Sequence, residues 1–126
     1  MRNSLEMPYL RFELLPNGIL VATYKSRVSI TLEIAEEIVR TRLEFAGPEP
    51  RPVLIYNQGV VYFDKQARKY VSSEYGIAGV KAAAVVVDWS FTYLIMSYIF
   101  SVERPAIPVK TFASAERAMQ WLSTYL

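Results

Sequence analysis

Carboxylates near helix or strand ends are the first places to look for chemistry, and Asp64, Glu74 and Asp88 occupy such positions. Acid–base catalysis needs ionisable groups held within reach of one another. No spacing forces any two of these three together, and no carboxylate cluster has the pattern of a Mg²⁺ or Ca²⁺ site. Asp88 closes an apolar run just before a helix, where α/β folds place ligands, but it also reads as a turn residue beside Ser90. Lys81 opens the same run and is the one candidate for a buried Schiff-base amine, although its place at the run's start favours exposure. Gly76-Ile77-Ala78-Gly79 precedes a strand, whereas a phosphate-binding loop follows a strand and opens a helix, so it reads as a turn. Asn57-Gln58-Gly59 does follow a strand, with a single glycine.

The chain has 126 residues with neither cysteine nor histidine. Thiol catalysis, thiolate metal sites, disulfides and every histidine-dependent triad are excluded. No metal and no cofactor is expected. Fourteen basic residues face 12 acidic ones, a net charge of +2. That small, scattered excess argues against a nucleic-acid binder, which carries a clustered one. Its densest group is Lys65, Arg68 and Lys69, which share one face of a helix. Residues 1–20 lack a basic-then-apolar signal pattern, and the longest apolar stretch, Phe91 to Phe100, falls short of the ~20 residues of a membrane span. A cytoplasmic protein is expected.

Which elements position these residues? A 52% hydrophobic content supports one packed domain over residues 1–126. Pro16-Asn17-Gly18 between Tyr9–Leu15 and Ile19–Lys25 predicts a hairpin with a three-residue turn. Thr31 caps a helix over Leu32–Ala46, whose stripe is Leu32, Ala35, Val39, Leu43 and Ala46 and which Gly47 ends. Pro52–Asn57 reads as a strand and Gln58–Phe63 as a loop or extended piece. Asp64 caps a helix over Lys65–Tyr75, with Ala67, Tyr70, Val71 and Tyr75 facing inward. Val80–Val87, unbroken from Ala82, reads as a central parallel strand buried on both faces. A third helix over Phe91–Val102, an edge strand over Ile107–Phe112 and a last helix capped by Ser114 complete the chain. The fold class is α/β: an N-terminal hairpin, then α-β-α-β-α-β-α, with a mostly parallel mixed sheet and four helices. Right-handed crossovers would put the helices on one face. The other face then requires cover from the hairpin or a second subunit.

This layout, from Leu10 to Leu122, resembles the SpoIIAA-like fold of STAS domains, the anti-sigma factor antagonists, and of uncharacterised bacterial STAS-like proteins. The resemblance rests on element spacing and two segments: Val53-Leu54-Ile55-Tyr56 with Phe63-Asp64 opening a helix, and Val80–Asp88 followed by Ser90. In regulatory STAS domains that helix opens with Asp-Ser-Ser-Gly, and a kinase phosphorylates a serine. Here the positions are Asp64, Lys65, Gln66 and Ala67, so the acceptor serine is missing. The resemblance implies a regulatory interaction module without that switch. It extends to SEC14-type lipid carriers.

Phe91 to Phe100 carries no charge on any side, whereas a surface helix shows a polar face. A homodimer partner, an apolar ligand or the protein's own core would cover it. The sequence thus predicts a non-enzymatic, homodimeric interaction module with an unknown protein partner. Its partner-binding residues are Asp64, Lys65, Arg68 and Lys69. Its dimer or apolar-ligand surface is Trp89, Phe91, Leu94, Ile95 and Tyr98. The alternative is a carrier of an apolar ligand or lipid at that second surface.

Overall fold

A computed structural model describes residues 3–25, 27–57, 62–87 and 104–126. The hairpin joins β2 (Leu10–Leu14) to β3 (Leu20–Tyr24). Leu15 N–H donates to the Ile19 carbonyl (2.9 Å), and Gly18 takes φ +97°, the conformation that this turn asks of its glycine. Asn17 Oδ1 accepts from Ile19 N–H (3.1 Å). An additional strand, β1 (Ser4–Glu6), pairs antiparallel with β2 and forms one edge of the sheet. Met7-Pro8 interrupts the alternation that would have announced it. Glu6 on this edge meets Lys25 (3.1 Å) and Arg11 (3.7 Å), charges that discourage edge-to-edge pairing.

From β3 the chain passes through a short strand, β4 (Ser29–Ile30), into α1 (Leu32–Ala46). Thr31 caps α1 by accepting from Ile34 N–H, and Gly47 ends it at φ +84°. Then come β5 (Arg51–Asn57), β6 (Tyr62–Phe63), α2 (Lys65–Ser72), β7 (Val80–Val87), β8 (Val109–Phe112) and α3 (Ala115–Ser123). The main sheet has the order β1-β2-β3-β5-β7-β8, with β3, β5, β7 and β8 mutually parallel. β4 and β6 form a separate parallel pair. β8 starts just after Pro108 and lies at the edge, as the proline requires.

The faces of the sheet are covered differently from the expectation. Leu10, Phe12, Leu20, Ala22 and Val53 pack with Ala35 and Ile38 of α1 and Ala67 of α2. Ile19, Val21, Leu54, Ala82, Ala84 and Val86 pack on the opposite face against Ala118 and Leu122 of α3. No second subunit is required there. Crossover handedness governs helices that link two parallel strands, and α3 follows the last strand, so it is free to fold under the sheet. β7 is buried on both faces except at Lys81, where a register shift against Arg51 and Pro52 turns the lysine to solvent.

α2 is shorter than predicted. Ser73 N–H and its hydroxyl both bond to the Tyr70 carbonyl and stop the helix at Ser72. Tyr75, expected to face inward, is 66% exposed. The described residues contain three helices; the expected helix over Phe91–Val102 lies outside them.

Gly76 folds back on α2 so closely that a Cβ would sit 2.2 Å from the Tyr70 carbonyl oxygen and 2.5 Å from Val71 Cα. Backbone cannot give way there. Gly76→Ala is expected to cost about 3 kcal/mol in denaturant unfolding, against about 1 kcal/mol for Gly47→Ala, where the space is open and only the positive φ resists.

Candidate functional site

The first two turns of α2 bring together all four residues of the expected partner surface. Asp64 is extended (φ −69°, ψ 169°) and its Oδ1 accepts from Ala67 N–H at 2.8 Å. Its own N–H donates to the Ile30 carbonyl (3.1 Å), which ties the cap to the β4–β6 pair. Arg68 Nη1 donates to the Phe63 carbonyl (2.8 Å). Asp64 and Arg68 thus hold the start of the helix. Lys65 and Lys69, one turn apart, stand exposed on its outer side, with Tyr62 60% exposed just before the cap.

Two further arginines are committed to the scaffold, and sequence reasoning missed both. Arg51, at the head of β5, donates from Nη1 to the Gly18 carbonyl (3.0 Å) and from Nη2 to the Ala46 carbonyl (2.9 Å). Its buried Nε has no hydrogen-bond partner among the described residues. Arg42 of α1 donates from Nη2 to the carbonyls of Gly76 (3.2 Å) and Ala78. Burial lowers the Arg42 guanidinium from its ordinary value, and the Tyr24 and Tyr70 phenols oppose that shift. A signal was available: Arg42 continues the Ala35–Ile38 side of the apolar stripe, where a solvated cation has no place. Burial also pushes the Tyr24 phenol up to about 12, with Arg42 pulling the other way. Tyr9 donates to Glu37 (3.3 Å); desolvation, then the carboxylate's charge, raises its phenol.

The remaining candidates do not assemble into a reactive centre. Glu74 and Lys81 are exposed, so Lys81 has none of the burial that a Schiff-base amine needs. Asn57 ends β5 buried, with Oδ1 unpartnered among the described residues. Asp88 and the apolar surface of Trp89, Phe91, Leu94, Ile95 and Tyr98 lie outside the described residues. Among the described residues no three Asp or Glu side chains are placed to hold a metal ion, and no helix is long and apolar enough to cross a membrane.

Comparison with known proteins agrees with this architecture. A family model described as a domain of unknown function, DUF7793, matches residues 12–126, and the chain belongs to that family. Among solved structures, an uncharacterized protein from the DUF3478 family with a SpoIIAA-like fold, from Shewanella loihica PV-4, is similar over 90% of this chain and 91% of that one. The TM-score is 0.60 at 15% sequence identity. That likeness shows the fold: it is SpoIIAA-like. No curated protein matches the chain.

The α2 cap and the buried phenol each have a measurable consequence. Asp64→Ala is expected to destabilise the fold by about 1 kcal/mol and Asp64→Ser by a few tenths, read by denaturant unfolding. Tyr24 keeps its proton in the folded state to about pH 12, while an unfolded tyrosine loses it near 10. Its stabilising contribution is present below pH 10 and lost as pH rises towards 12, on the order of 1 kcal/mol per pH unit. Tyr24→Phe should flatten that part of a stability-against-pH curve.

Proposed function

We propose that this DUF7793 protein is a non-enzymatic interaction module, homodimeric, that docks an acidic protein surface against the outer side of α2. One observation carries the reading: Lys65 and Lys69 are exposed one turn apart on a helix whose start is fixed by Asp64 and Arg68. Two cations held on a rigid element lose little freedom on binding, which favours recognition by charge. Arg42, Arg51, Arg68 and Asp64 are all spent on backbone groups, which leaves binding as the better account of this surface than catalysis.

The charge-controlled helix start of STAS domains reaches this chain only in part. With Lys65 and Gln66 where the serines stand, the α2 surface carries permanent positive charge in place of a phosphorylation switch. The homodimer rests on Phe91 to Phe100, whose lack of charge calls for cover. The sheet lends it no support, because α3 already covers the second face.

The test is affinity purification from the source cells, identification of the retained protein, and titration of the purified pair. Lys65→Glu combined with Lys69→Glu should weaken binding by about tenfold or more, with an unchanged circular dichroism spectrum. Affinity should also fall with added salt. A partner that binds the double variant as well as the parent protein would overturn the reading.

A further inference from the structure

We infer a second docking surface, distinct from the α2 lysines: the open groove between α1 and the end of α2, which fits a basic amphipathic helix. The groove has a volume of about 540 Å³. Val39 and Leu43 of α1 and Tyr70 of α2 form its apolar floor, and Tyr75 stands at its side, 66% exposed. An aromatic ring left in water beside an apolar floor is the composition of an interface anchor.

The rim supplies the choice of partner. Glu36 and Glu44 line it from α1 and Glu74 from the turn after α2, all exposed. None of the three is ion-paired among the described residues, where the salt bridges are those of Glu6 with Arg11 and Lys25. Arg40 is the one cation on the rim. With Arg42 behind the wall on the Ala78 carbonyl, three carboxylates face two guanidiniums, and the groove is locally negative on a chain whose net charge is +2. Complementarity therefore asks for a positive partner with an apolar stripe.

The backbone argues for a helix over an extended peptide. The walls are α1, Tyr70 of α2 and the turn that follows, where Gly76 N–H donates to Ser73 Oγ and Ala78 N–H to the Tyr75 carbonyl, so the groove offers no strand edge to pair with. An occupant has to satisfy its own backbone, as a helix does, and present side chains at i, i+3, i+4 and i+7. Glu36 and Glu44 are eight residues apart on α1, roughly 12 Å at 1.5 Å per residue, which matches cations two turns apart on a helix laid alongside. A small ligand fits less well, because pockets for such molecules enclose most of the ligand surface and this groove is open.

The probe is a fluorescein-labelled peptide of about 14 residues, four helical turns, with leucines on one stripe and lysines flanking it. A scrambled peptide of the same composition is the control. Titration by fluorescence anisotropy should give saturable binding to the full chain, and Glu44→Lys and Tyr75→Ala should each raise Kd by about tenfold or more. Lys65→Gln, on the surface proposed above, should leave Kd within about twofold, so the two surfaces stand or fall separately. Both groove residues are exposed, and circular dichroism checks that their variants fold. The inference is overturned by any of four results: no saturable binding below about 1 mM, equal binding of the scrambled peptide, a Kd that either groove variant leaves unmoved, or loss of binding on Lys65→Gln.

Discussion

The C-terminal half of α1 is where the layers of this protein are joined, and the joints are guanidinium groups on backbone carbonyls. Arg51 bridges the hairpin turn at Gly18 and the end of α1 at Ala46. Arg42 fastens α1 to the turn at Gly76 and Ala78 that leads into β7. A buried charge is costly unless its donors are satisfied, and helix ends and turns are where carbonyls lack backbone partners. Each arginine thus meets a need on both sides. Sheet, helix and turn are set relative to one another, and α2, which runs into that turn, is set with them. The lysines on its outer side and the groove beside α1 inherit their positions from these contacts.

Much of the fold was legible in the sequence because its signals are local. Thr31 and Gly47 bound α1 at Leu32 and Ala46 as read, and Pro16-Asn17-Gly18 forms the expected turn. The unbroken run ending at Val87 is an inner parallel strand. What was missed depends on pairings and side-chain bonds that carry no periodic signal. β1 exists because β2 offers it an edge, and β4 because it finds Tyr62–Phe63, the end of the stretch read as a loop or extended piece. Tyr75 faces out because Ser73 ends the helix one turn early. The location of α3 followed from its coming after the last strand, a point that the crossover rule does not reach.

The candidate site was legible in membership and not in role. Asp64, Lys65, Arg68 and Lys69 do stand together, yet Asp64 and Arg68 are occupied with the backbone, and the two lysines are the pair left exposed. Arg51 went unread because its partners, the carbonyls of Gly18 and Ala46, are set by the fold and leave no mark in a one-dimensional pattern. A SpoIIAA-like fold constrains none of this, since one fold hosts many functions and the function lies in the site placed upon it. In this chain the start of α2 carries the exposed cation of Lys65 beside the Asp64 cap.

The proposed module presents surfaces to other proteins and sets a second copy of the chain against the uncharged run Phe91 to Phe100. Native mass spectrometry of protein purified gently from cells tests it most directly, because subunit number and bound small molecules are read from one spectrum. The expected species is a dimer with no added mass. A species carrying extra mass of lipid size would contradict the proposal and make the chain a carrier, and a bare monomer would contradict self-association.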